Sequence, residues 1–173
     1  MEDSNVLLEC ELFKVVRHRR VGPDGIEHSR PVIRHPGAVV MLPLLDDGRI
    51  ALIRNHRFAV DERLVELPAG TLDSGEDPRD AAHRELAEET GFRARSMELL
   101  ITFYTSPGIL DERMWLFVAT GLTPGPTKLE SGEDILPLVV TWDEALAMAR
   151  DGRIRDVKTL AGLLYYEAFR SRT

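Results

Sequence analysis

The stretch GEDPRDAAHRELAEETG (75–91) gathers Glu85, Glu88 and Glu89 into one short run. In a helix of 3.6 residues per turn, Glu85 and Glu89 share a face and Glu88 sits beside them. Exposed like charges at this spacing cost roughly 0.2–0.5 kcal/mol per pair. Near a helix C-terminus the macrodipole disfavours them further. Water and salt tolerate that, so one reading is a solvated acidic face. The other is a cation site. Three carboxylates converging on one side offer hard oxygen ligands to Mg²⁺, which shares its octahedron with water and phosphate. Arg84, four residues before Glu88, can pair with it or brace the carboxylates from the side.

These groups need elements to hold them. Asp77 suits an N-cap, Pro78 the first helical position and Gly91 the end, so the spacing predicts a helix over 77–90. Ala81, Ala82 and Leu86 give it a narrow apolar stripe. Apolar patterning predicts strands at 6–20 and 26–34 around the turn GPDG (22–25). A second pair, 38–45 and 49–58, flanks Asp46-Asp47-Gly48, a strong hairpin signal. LVELPAG (64–70) reads as a short strand running into a Gly turn, and further strands are expected at 97–104, 113–120 and 135–141. Thr141 to Glu144 fits a capping box for one helix, and another spans roughly 157–170. The fold class expected is α/β, a mixed sheet between helices. Pro31 and His35-Pro36-Gly37 punctuate the chain, so residues 1–36 are expected as a separate antiparallel layer and 37–173 as the main domain.

The whole chain narrows the function classes. Its 173 residues fit one domain of ordinary size. A formal charge of −7 argues against general nucleic-acid or anionic-membrane binding, which needs a basic face. It leaves room for a polyanionic substrate bridged by a divalent cation. The longest apolar run, AVVMLPLL (38–45), is too short to span a bilayer. The acidic start lacks the basic region of a signal peptide. Cys10 is the single cysteine, which suits a reducing cytoplasm.

From Gly70 the chain reads G-x5-E-x7-R-E-L-x-E-E-x-G-F, through Gly70, Glu76, Arg84, Glu85, Leu86, Glu88, Glu89, Gly91 and Phe92. This resembles the box of the Nudix hydrolases, G-x5-E-x7-R-E-U-x-E-E-x-G-U, with U a bulky apolar residue. Only Phe92 is unusual, at a place where an aliphatic residue is commoner. The resemblance implies an α/β/α sandwich with a mixed sheet, and hydrolysis of a nucleoside diphosphate linked to another moiety. It implies Glu85, Glu88 and Glu89 as ligands of Mg²⁺, for which Mn²⁺ or another divalent cation can substitute. Glu76 would support the site and Arg84 would orient the glutamates.

The likeness extends beyond the box. ELPAG (66–70) and SPG (106–108), with Pro107 sixteen residues past Gly91, resemble the ADP-ribose pyrophosphatase branch. That resemblance implies a metal-binding backbone carbonyl at Ala69 and substrate contacts from Arg57, Glu66, Gly70 and Glu112. Its general base lies on a loop before the last strand, here TKLESGEDILP (127–137), where Glu133 aligns and Glu130 is the alternative. The activity implied is Mg²⁺-dependent cleavage of ADP-ribose to AMP and ribose 5-phosphate. Alternatives are another nucleoside diphosphate sugar such as GDP-mannose, or a Nudix-fold binding module without catalysis. Members of this branch commonly exchange N-terminal strands, which implies a homodimer. Arg17, Arg19, Arg20, Arg30 and Arg34 on those strands either approach substrate or guard a sheet edge.

Overall fold

The computed structural model describes residues 5–129 and 131–169. In chain order the elements are β1 (Val6–Glu9), β2 (Lys14–Val21), β3 (Glu27–Arg34), β4 (Ala38–Pro43), β5 (Arg49–Arg57), β6 (Glu62–Glu66), β7 (Ala69–Thr71) and α1 (Pro78–Thr90), followed by β8 (Phe92–Tyr104), β9 (Arg113–Pro124), β10 (Ile135–Thr141), α2 (Trp142–Arg150) and α3 (Val157–Phe169).

Strand β4 organises them. It is buried along its length, and alternate side chains enter different cores, as the pleat requires. Val39 and Met41 pack with Ala81, Ala82 and Leu86 of α1. Val40 and Leu42 pack with Ala145 and Met148 of α2 and Leu163 of α3. Helices therefore cover both faces, and the fold is an α/β/α sandwich. A strand buried on both sides reads as a continuous apolar run, which explains why 38–42 shows no polar alternation.

The strand layer consists of two sheets. One is mixed, in the order β7-β4-β9-β8, with β4 and β9 parallel. The other is antiparallel, in the order β10-β5-β6. The run 64–70 thus divides between sheets. Pro68 has no N–H for a ladder, and its carbonyl accepts from Met41 N at 2.9 Å. The break turns the chain from β6 into β7 and sets Ala69 and Gly70 beside α1.

The helix signals act locally. The Asp77 carboxylate accepts from Arg79 N at 2.8 Å, and Gly91 ends α1 at φ 75°. Thr141 Oγ1 accepts from Glu144 N at 3.1 Å at the start of α2. The Asp47-Gly48 turn closes with Leu45 N donating to Arg49 O at 2.9 Å, and Gly48 takes φ 81°.

The N-terminal sheet, β1-β2-β3, is antiparallel. The expected strand 6–20 is interrupted at 10–13, where Cys10 N donates to Phe13 O at 2.9 Å. Only Val16 in this sheet is fully covered, at 1% exposed. The sheet joins the sandwich through Ile33 N to Ile109 O at 2.8 Å and Arg34 Nη1 to Asp111 at 2.8 Å. Among the described residues, no helix is long and apolar enough to cross a membrane.

Candidate active site

The carboxylate cluster rests on a glycine. Gly70 pairs with Val39 in the mixed sheet, and Glu85 of α1 lies directly against it. A Cβ built on Gly70 would overlap the Glu85 carboxyl group. Next to it, Ala69 N donates to Glu89 Oε2 at 2.8 Å. The short strand after Pro68 thus fixes one acid through a backbone N–H and admits another through a missing side chain.

Arg84 holds the other side. Its Nε and Nη2 donate to the two Glu76 oxygens at 3.0 and 2.9 Å. Its Nη1 donates to Glu85 at 2.7 Å and to Glu88 at 3.3 Å. Glu76 in turn accepts from Asp73 N at 3.0 Å, which closes the loop ahead of the helix. The guanidinium is held in its charged form chiefly by the Glu76 hydrogen bonds, against burial and with help from Glu85. The same bonds hold the Glu76 carboxyl below its usual range.

The remaining acids are electrostatically unsatisfied. Burial pushes the Glu89 carboxyl up to about 8; the Ala69 N–H opposes this, and repulsion from Glu85 and Glu133 adds to it. Burial also raises Glu85, opposed by Arg84 and reinforced by Glu88 and Glu133. Among the described residues, no three acid, imidazole or thiol side chains already converge as a finished metal centre. Glu85 and Glu88 are turned to Arg84, and Glu89 to the backbone. The donor set nevertheless suits a hard divalent cation. It is all oxygen, it carries excess negative charge, and raised carboxyl pKa values are what bound positive charge relieves.

These acids line a cavity of about 970 Å³, together with Arg57, Ala69, Gly70 and Glu133. Glu133 lies just before β10. After β9, Lys128 N donates to Glu88 O in the last turn of α1 at 3.0 Å. Glu130 lies outside the described residues. A second cavity, about 370 Å³, shares Arg57, Ala69, Gly70 and Thr71 with the first and is lined by Glu112. Glu112 accepts from Thr105 Oγ1 at 2.9 Å. Pro107 lines neither cavity and borders grooves beside the N-terminal sheet.

Glu66, expected to contact substrate, lines the second cavity and is committed to an ion-pair network there. It is 0% exposed, and Arg57 grips it through Nε at 2.8 Å and Nη2 at 2.6 Å. Lys158 Nζ bonds the same carboxylate from behind. Burial would raise the Glu66 carboxyl, but Arg57 and Lys158 outweigh it and hold the group below its usual range. Glu66 therefore anchors Arg57 within the wall of the second cavity. The sequence reading missed Lys158, Asp156 and Thr159, which complete this wall. One signal was available: a lysine in the first turn of a helix opposes the macrodipole, so its presence there calls for an acidic partner.

The Gly70 contact yields a direct test. Gly70→Ala should displace the Glu85 carboxylate and weaken divalent-cation binding about tenfold or more, since ligand-holding contacts typically matter on that scale. Mn²⁺ titration followed by electron paramagnetic resonance checks this, with circular dichroism to confirm the fold. Unchanged Mn²⁺ affinity would separate Glu85 from any metal site.

Known proteins resemble this chain in sequence and in fold. A methanol dehydrogenase activator from Bacillus methanolicus is 40% identical over 147 residues, covering 84% of this chain and 80% of that protein. An ADP-ribose pyrophosphatase from Bacillus subtilis (strain 168) is 37% identical over 147 residues, with the same coverage of 84% and 80%. A GDP-mannose pyrophosphatase from Enterobacter sp. (strain 638) is 34% identical over 158 residues, covering 86% and 82%. A crystal structure of an ADP compounds hydrolase superposes with a TM-score of 0.83 at 20% identity, covering 96% of this chain and 91% of that one, and so shares its fold. The NUDIX domain profile matches residues 34–162, and the chain belongs to the NUDIX domain family.

Proposed function

We propose that this protein hydrolyses the pyrophosphate of ADP-ribose, giving AMP and ribose 5-phosphate. The observation that carries the reading is the meeting of Glu85, Glu88, Glu89 and Glu133 with Arg57 around one cavity. An acidic wall repels a pyrophosphate unless a cation lies between them. The Glu85, Glu88 and Glu89 carboxylates and the Ala69 carbonyl would hold a divalent cation, which we take to be Mg²⁺. When bound, such an ion neutralises the pyrophosphate and eases deprotonation of water. Arg57 supplies the fixed positive charge of the cavity wall and contacts a phosphate or ribose. Glu112, at the second cavity, faces the far end of the substrate. Water adds to one phosphorus as the bridging P–O bond breaks, and its proton passes to Glu133.

The relatives named for ADP-ribose and for GDP-mannose both fit this chemistry, because the acids act on the pyrophosphate and not on the sugar. The reading is tested with purified protein, ADP-ribose, ADP-glucose, GDP-mannose and NADH, with and without Mg²⁺. We expect Mg²⁺-dependent AMP from ADP-ribose, faster than product from the others. Faster turnover of GDP-mannose would keep the site and replace the substrate. No turnover with any divalent metal would leave a binding module.

For the base, Glu133→Gln should lower kcat by about 10²- to 10⁴-fold, the usual range for general base catalysis, with KM nearly unchanged. Unaffected kcat would move the role away from Glu133, first to Glu130.

We also propose a homodimer built on the N-terminal sheet. Val6, Leu7, Leu8, Leu12, Val21 and Ile26 are all exposed there. A small sheet with so little covered surface needs another layer to be stable. Sedimentation should give the mass of two chains, and Leu8→Asp with Ile26→Asp should shift it toward one. A monomer at all concentrations would remove the proposal. The single exposed thiol, Cys10, suits a cytoplasmic setting.

A further inference from the structure

A closed polar ring forms part of the second cavity's wall, where Glu66, Asp156 and Lys158 join Arg57 and Glu112. Lys158 Nζ joins Glu66 to Asp156, reaching Asp156 Oδ1 at 3.0 Å. Asp156 Oδ2 accepts from Thr159 N at 2.9 Å and from Thr159 Oγ1 at 2.5 Å. Thr159 Oγ1 accepts from Leu67 N at 2.7 Å, one residue from Glu66. The ring therefore ties the start of α3 to the end of β6 just before the Pro68 break. Glu66 and Thr159 are 0% exposed and Lys158 is 7% exposed.

Stability alone does not account for this lysine. A buried ion pair commonly contributes no more than an apolar residue of similar volume. Its place in the first helical turn is also unfavourable to the macrodipole. What it does is geometric. Glu66 is held from one side by Lys158 and offers both oxygens to Arg57. The Arg57 side chain remains 40% exposed. Its Nε and Nη2 are committed to Glu66, while Nη1 has no hydrogen-bond partner among the described residues. Arg57 also lines both cavities. A guanidinium clamped along one edge presents its free edge in a single orientation, which a lysine's point charge does not do.

We propose that Lys158 is a positioning residue for Arg57, acting through Glu66 and held in turn by Asp156 and Thr159, so that Arg57 Nη1 meets an anionic oxygen of the substrate. The inference rests on the hydrolase reading above. Removing Lys158 also leaves an uncompensated carboxylate in the wall of a cavity that must accept an anionic substrate. Its loss therefore falls on substrate binding more than on the chemical step.

The test is a cycle on ADP-ribose hydrolysis. Lys158→Met should raise KM roughly tenfold and change kcat less than about threefold, a coupling of ordinary size for contacting charged groups. In an Arg57→Lys background, which has no fork to misorient, the same substitution should change KM less than about twofold. Binding of ADP in the presence of Mg²⁺, measured by calorimetry, should weaken in parallel with KM. Asp156→Asn, which keeps the shape of the helix cap, should show a smaller KM rise with the same dependence on Arg57. It carries the cycle if Lys158→Met fails to fold by circular dichroism. An equal effect in both Arg57 backgrounds, or a fall in kcat alone, would overturn the positioning role while leaving the hydrolase reading intact. A wild-type protein that turns over no nucleoside diphosphate sugar would overturn that reading, and this inference with it.

Discussion

Several carboxylates can share a buried wall only if positive charge is held among them. In this protein the permanent part of that charge is Arg84. Its five-donor fork is used along two edges, toward Glu76 on one and toward Glu85 and Glu88 on the other. Glu76 faces the loop, where it also receives Asp73 N, and it keeps the fork from turning wholly onto the acids it braces. A lysine has no planar fork for this division. Gly70 is the matching constraint on the sheet side, since any side chain there would occupy the place of the Glu85 carboxylate. The glycine and the arginine of the motif thus serve one purpose: they let like charges stand close without closing the space a cation would take.

Much of this was legible in order along the chain. The caps of α1 are local events, as are the Asp47-Gly48 turn and the placement of Glu85, Glu88 and Glu89 on one side of a helix. Each depends on residues within a few positions of one another. The apolar run 38–45 signalled a strand, though not which face meets which helix. What stayed hidden depends on pairs far apart in sequence. Nothing near Glu66 announces that its partners include Lys158, and nothing near Leu67 that its N–H meets Thr159. The run 64–70 read as one short strand entering a Gly turn. The structure divides it at Pro68, which lacks an N–H and falls between β6 and β7, strands of different sheets. The break between β1 and β2 was likewise masked by a continuous pattern.

The two walls of the cavity are built on different physical grounds. The helix wall is crowded with acid, and two of its carboxyls are pushed upward. The β5–β6 wall balances charge within itself, since Arg57 and Lys158 face Glu66 and Asp156. A balanced buried group contributes little net field. Its value lies in fixing direction, because each member's hydrogen bonds are already committed. Cation binding suits the first wall and orientation of an anionic substrate suits the second.

The turn before β9 joins this second region to the N-terminal sheet. Asp111 receives Arg34 Nη1 at 2.8 Å and His35 N at 2.9 Å. Its neighbour Glu112 lines the second cavity and is steadied by Thr105. His35 Nδ1 accepts from Gly37 N at 3.1 Å, so it is not a donor to the Glu112 oxygen 3.7 Å away. Glu112 thus stays open toward the cavity, while the residue before it carries the attachment of the sheet. A displacement of β3 along the sandwich would pull on Asp111 first and shift Glu112 with it. The N-terminal layer is separate in its hydrogen-bonded sheet but shares one short turn with the substrate side of the site.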